Sequence, residues 1–202
     1  ISKPIYISGL PINTNLITHL DASYIDALSN TNEAQIDGTD YVLKLWYDIS
    51  SIIGRSAPNE VATSPSTNSL RPLVKRSASD DQFIGQYVKF QTGQYMQINN
   101  QGISGNRVYI YVVLKNRSND ASKYIVNGLN EVSIAASTAE NLNQWHIVRK
   151  ELVLDGTTIK IGDSDVDIAE VLIYLDSVDV DDNTKILEYL SKKYYSNILV
   201  TD

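Results

Sequence analysis

Asp163-Ser-Asp-Val-Asp167 is the one stretch that places three carboxylates on alternate positions. A glycosidase built on a strand needs that spacing, so that an acid and a nucleophile project from one face. The stretch has no Glu and follows Gly162 in what reads as a turn, so a solvated turn is the expected role. The same oxygens suit a hard cation, but a calcium loop started this way wants Gly at its sixth position and Glu at its twelfth. Here those positions hold Ile168 and Tyr174. The expectation is no cofactor, with calcium on Asp163, Asp165 and Asp167 as the alternative. Asp176, Asp179, Asp181 and Asp182 form a second acidic cluster, which a helix start explains without a metal.

Other nucleophile and base combinations fail one by one. The chain has no cysteine and only two histidines, His19 and His146. Thiolate zinc sites, cysteine nucleophiles and a three-His metal site are therefore excluded. His146 stands beside Trp145 with no Ser or carboxylate placed next to it by sequence, and each histidine reads as a bonded strand residue. Gly-x-Ser-x-Gly, a Gly-rich phosphate loop and His-Glu-x-x-His are all absent. An enzyme is the minority reading. Thirteen tyrosines against two phenylalanines is a skewed choice, and tyrosine gives binding surfaces a rigid apolar plate with a polar rim. Tyr87, Tyr95, Tyr109 and Tyr111 occupy positions compatible with one exposed sheet face, a candidate contact for carbohydrate or a subunit. Asn116-Arg-Ser118 matches a glycosylation sequon of the kind an Asn- and Ser-rich chain acquires by chance.

Composition narrows the partners. A net charge of -7 and a pI near 4.8 oppose a phosphate backbone, so nucleic acid is not expected. Arg71, Lys75 and Arg76 are the only local basic excess and read as solvating a loop. The longest apolar runs, Val108 to Leu114 and Val171 to Leu175, fall far short of the roughly 18 residues a transmembrane helix needs. At 202 residues, 43% of them hydrophobic, the chain suffices for one sizeable core. Ile1 to Asn15, with Pro4, Gly9 and Pro11, reads as an extended arm or linker whose Ile5-Tyr-Ile7 could add an edge strand; residues 16–202 read as one domain. No signal peptide precedes it, so a processed chain or an excised domain is expected.

The elements that must position these residues are mostly strands. Strands are expected at Leu16 to Leu20, Val42 to Tyr47, Tyr87 to Phe90, Tyr95 to Ile98, Val108 to Leu114 and Asp167 to Tyr174. Lys123 to Val126 and Glu131 to Ile134 flank Asn127-Gly128, and His146 to Leu154 and Thr157 to Ile161 flank Asp155-Gly156, so two tight hairpins are predicted. Gly54 to Gln82 is the least regular stretch, with room for one short strand. A short helical turn follows Asp21-Ala-Ser23. A C-terminal helix, capped by Asp181 or Asp182, presents Ile186, Leu187, Leu190 and Tyr194 inward, and Lys192-Lys193 suits its negative end. Many strands with few helices must bury their apolar faces against a second sheet, so an all-β sandwich follows.

In order along the chain, His19-Leu-Asp-Ala-Ser23, Val42 to Ser50, Arg71-Pro72, Tyr87 to Tyr95, Val108 to Val113, Trp145-His146, Leu154-Asp-Gly156, Ile159 to Gly162, Ile168 to Tyr174 and the terminal helix resemble the concanavalin A-like lectin/glucanase superfamily. The likeness is to its laminin-G-like jelly-roll branch, found in phage structural and bacterial surface proteins. It spans about residues 16 to 196. The resemblance implies a two-sheet antiparallel jelly roll with a short C-terminal helix, and makes Asp21, Trp46, Asp48 and Trp145 structural anchors. Where the branch often reads Phe-Asp-Gly, this chain has Phe90-Gln-Thr-Gly93, losing a carboxylate. The fold hosts lectins, glycosidases, lyases and structural modules alike. The functional expectation is a non-enzymatic module on a virion or cell surface, contacting carbohydrate or a neighbouring subunit. A polysaccharide-active enzyme and an architectural, self-associating filament or capsid subunit are the alternatives.

Overall fold

A computed structural model describes residues 10–12, 14–25, 34–37, 40–50, 61–76, 85–99, 104–118, 123–127, 130–133, 142–156, 158–194 and 200–201. The first strands are β1 (Leu16–Asp21), β2 (Ala34–Asp37), β3 (Asp40–Leu43), β4 (Leu45–Tyr47), β5 (Val61–Thr63), β6 (Leu73–Arg76), β7 (Gln86–Phe90) and β8 (Tyr95–Asn99). They continue with β9 (Arg107–Asn116), β10 (Lys123–Asn127), β11 (Asn130–Ser133), β12 (Trp145–Val153), β13 (Thr158–Gly162) and β14 (Val166–Leu175). The helix α1 (Val180–Tyr194) and the short β15 (Val200–Thr201) follow.

The larger sheet runs β15-β12-β9-β14-β7-β6-β3-β2, and β1 pairs with the far half of β14. The smaller sheet runs β11-β10-β13-β8-β5-β4. All pairings are antiparallel except the two-residue contact of β15 with β12. The protein is an all-β, two-sheet sandwich with a C-terminal helix. Its core takes Val88, Phe90, Ile110, Val112, Val171 and Ile173 from one sheet and Trp46, Met96, Ile98, Ile159 and Ile161 from the other. Burial of these apolar side chains is the main stabilising term.

A second apolar layer lies on the outer face of the larger sheet. Tyr109, Tyr111, Val113, Ile147, Leu172 and Tyr174 are covered there by Ile186, Leu190 and Tyr194 of α1, and Leu10 of the incoming segment joins them. Tyr174 Oη donates to Ile12 O at 2.9 Å, which fixes that segment against the layer. The Ile5-Tyr-Ile7 strand lies outside the described residues.

Several expectations are revised. The Val42 to Tyr47 run breaks at Lys44 into β3 and β4, which belong to different sheets. The strands that flank Asn127-Gly128, β10 and β11, pair with Asn127 opposite Asn130. The Asp155-Gly156 hairpin does not: β12 pairs with β9 while β13 pairs with β8 and β10 in the opposite sheet. Leu154 is fully buried and bonds through its backbone to Gly105 and Asn106, which anchors the chain as it crosses between sheets. The Gly54 to Gln82 stretch holds two strands, β5 and β6, rather than one. The cap of α1 is Asp179, whose Oδ1 accepts from Asp182 N at 2.8 Å; Asp181 and Asp182 fill the first turn instead.

Candidate functional site

A buried polar assembly gathers His19 and Asp21 from β1, Glu170 from β14, and Lys193 and Tyr194 from α1. A register irregularity places it. Ile168 lies opposite Leu114 and Glu170 opposite Val113, so Ala169 is an extra residue in β14. Ile168 and Val171 both face the sandwich core, and the bulge turns the carboxylate between them to the helix side. Asp21 is the cross-strand neighbour of Glu170, and His19 is the neighbour of Leu172 on the same face.

Glu170 is fully buried and has a partner on each oxygen. His19 Nε2 lies 2.7 Å from Oε1, and because a carboxylate only accepts, this nitrogen carries a hydrogen. Lys193 Nζ donates to Oε2 at 2.7 Å and Tyr194 Oη to the same oxygen at 2.5 Å. Burial alone would push the Glu170 carboxyl up, but the His19 hydrogen bond and the Lys193 ammonium outweigh it and hold it at about 2. Lys193 also lies 2.5 Å from Asp21 Oδ2, and although burial disfavours its charge, Glu170 and Asp21 keep it well above the ordinary lysine range. Burial, then Glu170, drives the Tyr194 hydroxyl upward, so it stays a donor.

Oxygen and nitrogen atoms of His19, Asp21 and Glu170 come within 4.8 Å of one another, the only such His and carboxylate grouping among the described residues. The ammonium of Lys193 already bridges both carboxylates, so this chain supplies its own cation where a metal would sit. Asp21 Oδ1 accepts from Ser23 N at 2.9 Å and Ser23 Oγ at 2.7 Å, capping the 3-10 turn Ala22–Tyr24. Asp48 Oδ1 accepts from His19 N and Ser50 N, both at 2.8 Å, and burial raises its carboxyl despite those bonds.

The three alternating aspartates do not converge. Asp163 is exposed at φ +68°, its Oδ1 accepting from Gly93 N at 2.9 Å. Asp165 is half-buried and its carbonyl accepts from Arg117 N. Asp167 is buried between Lys115 Nζ at 3.2 Å and Arg117 Nε at 2.9 Å. The Arg117 contact is outside hydrogen-bond geometry, leaving a charge contact only. Burial therefore raises the Asp167 carboxyl in spite of both cations. The carboxylates of Asp163 and Asp167 are turned to different partners, and the three aspartates form no shared ligand cluster among the described residues.

The four tyrosines do not share one exposed face. Tyr109 and Tyr111 are buried beneath α1, where Tyr111 Oη donates to Asn183 Oδ1 at 2.7 Å. Tyr87 is half-buried on the larger sheet, edge-on to Trp145 at 5.6 Å, with Lys115 Nζ 5.3 Å from its ring centre. Tyr95 is on the smaller sheet, where Lys160 Nζ lies 4.5 Å from its ring. Trp46 is buried in the sandwich core and Trp145 in the layer under α1. His146 is a buried residue of β12, and Asn116 of the sequon is buried with its side chain accepting from Ser118 N.

The outer face of the smaller sheet has a different chemistry. Met96, Ile98, Ile159 and Ile161 point into the core, so Tyr95, Gln97 and Lys160 point away from it. Thr63, Gln97 and Lys160 form a row across three strands, and Gln97 Nε2 donates to Asn99 Oδ1 at 3.3 Å. Thr63 and Asn99 are exposed, and Tyr47, Tyr95, Gln97 and Lys160 are half-buried. Among the described residues no helix is long and apolar enough to cross a membrane.

No protein-family model matches the chain, and no curated protein matches it in sequence. Among solved structures it is similar to an exo-β-1,3-galactanase from Phanerochaete chrysosporium. A variant of that enzyme with β-1,3-galactotriose aligns at 17% identity and TM-score 0.35, over 51% of this chain and 26% of that one. Another with the same ligand covers 70% and 43% at 17% identity and TM-score 0.32, and the enzyme with galactose covers 64% and 32% at 18% and 0.32. The chain thus spans less than half the length of these structures. A likeness this low carries no argument about fold or activity.

Proposed function

We propose that the protein is a non-enzymatic binding module whose contact surface is the outer face of the smaller sheet, with a neutral carbohydrate as its ligand class. The observation that carries this reading is the chemistry of that face: the half-buried ring of Tyr95, with Lys160 Nζ 4.5 Å from it, beside Gln97, Asn99 and Thr63. Amides and hydroxyls match sugar hydroxyls as donors and acceptors, and an aromatic ring offers a plate to the apolar side of a pyranose. A virion or cell-surface setting belongs to the same proposal.

Among the described residues, the placement of the acids disfavours hydrolysis. A glycosidase needs two carboxyls about 5 to 9.5 Å apart in an open groove. Asp21 and Glu170 are instead closed under α1 with Lys193, and the central row of the smaller sheet carries Thr63, Gln97 and Lys160.

A glycan-array screen of the chain, with Tyr95→Ala alongside, tests the proposal. Reproducible binding to a class of neutral glycans that Tyr95→Ala loses is expected. A blank array for the unaltered chain, or binding that survives in Tyr95→Ala, overturns it.

A further inference from the structure

The contacts around Lys193 are those of reactants as well as of a salt bridge. Its Nζ sits 2.5 Å from Asp21 Oδ2 and 2.7 Å from Glu170 Oε2. Asp21 and Glu170 are at most 2% exposed, and the lysine side chain is 25% exposed. The opposite oxygen of Asp21 accepts two hydrogen bonds from Ser23, one from the backbone N–H and one from the hydroxyl. Donors aimed at a carboxyl oxygen are what stabilises the charge that develops there when its carbon is attacked. His19 and Tyr194 grip Glu170 from both sides and keep its Oε2 turned to the amine.

We propose that the folded chain links itself here, Lys193 and Asp21 joining through an isopeptide bond with Glu170 as the proton-transferring catalytic residue. The ammonium first gives one proton to Asp21 Oδ2, converting the ion pair to an amine and a carboxylic acid without changing the net charge. The amine lone pair then attacks Asp21 Cγ, and the oxygen held by Ser23 takes the developing negative charge. Glu170 accepts a proton from Nζ as the N–C bond forms and returns it to the hydroxyl, which leaves as water when the C–O bond breaks. Ammonium and carboxylate become amide and water, and nothing is oxidised or reduced.

One physical effect drives a condensation that bulk water would oppose. Holding amine and carboxyl in contact replaces an encounter with a step of very high effective concentration. The amide removes the charges of Lys193 and Asp21, and Glu170 keeps its hydrogen bonds from His19 and Tyr194. His19 and Tyr194 act as positioning residues, since they touch Glu170 and not the bond being made. The link would tie β1 to the last turn of α1 across a sequence separation of 172 residues.

Intact-mass spectrometry of the denatured full chain, with peptide mapping, tests the proposal. The unaltered chain is expected to be lighter than its sequence mass by one water, with a branched peptide joining the segments that carry Asp21 and Lys193. Lys193→Arg keeps the positive charge and the fold's ion pair but lacks the amine, and it is expected at full mass. An unaltered chain that stays at full mass on prolonged incubation overturns the proposal. So does a water loss that persists in Lys193→Arg, which marks a cyclised aspartate elsewhere.

Discussion

Gly162 shows how tightly one residue can be specified. It sits at φ +94°, and a Cβ built there would stand 2.1 Å from Phe90 Cδ1. Both the backbone conformation and the packed ring reject a side chain. Gly162→Ala is expected to lower stability by about 1–3 kcal/mol, read from the urea midpoint. Glu170 makes a second claim at this scale, for the unlinked chain. Its carboxyl is held at about 2 against an ordinary 4.5, so its contribution is complete above pH 4.5 and is lost as pH falls towards 2. Asp48 and Asp167, whose carboxyls are raised, work in the opposite sense, because protonation relieves their burial as pH falls. Glu170→Gln is therefore expected to flatten the acid-side loss of stability in that window. A variant that loses stability as steeply as the parent would show that other groups govern the acid limb.

The elements carry the next level. The N-terminus of α1 depends on Asp179, and Asp179→Ala is expected to cost about 1 kcal/mol by chemical denaturation, the usual value of a lost cap. The apolar stripe of that helix was legible in Ile186, Leu187, Leu190 and Tyr194, since 3.6-residue spacing leaves little choice of face. Strand positions were legible too, through period-two alternation in strands such as β7 and β8 and through continuous apolar runs in β9 and β14. Partner choice was not. Asp155-Gly156 announces that the chain turns, but the same dipeptide serves a hairpin and a crossing between sheets, and only the demand of β8 and β10 for a neighbour separates the two. The polar assembly was hidden by the Ala169 bulge, because alternation counted from Val166 and Ile168 sends Glu170 into the sandwich core. A signal did exist: a Glu inside Ile168-Ala-Glu-Val-Leu-Ile-Tyr174 must find a cation once buried. Sequence could not say that the cation would be Lys193, whose neighbour Lys192 is an exposed residue paired with Glu188.

For the whole molecule, the two outer faces differ in what covers them. The larger sheet is covered by α1 and by the segment around Leu10, and its tyrosines serve packing. The smaller sheet keeps an amide- and hydroxyl-bearing face with Tyr95 on it. The most direct test is the affinity for one neutral oligosaccharide, measured by titration on the unaltered chain, Tyr95→Ala and Tyr87→Ala side by side. Tyr95→Ala is expected to weaken binding about tenfold or more, equivalent to at least ~1.4 kcal/mol, while Tyr87→Ala binds as the parent does. Loss in Tyr87→Ala with none in Tyr95→Ala, or no binding by any of the three, would contradict the assignment of the smaller sheet as the contact face.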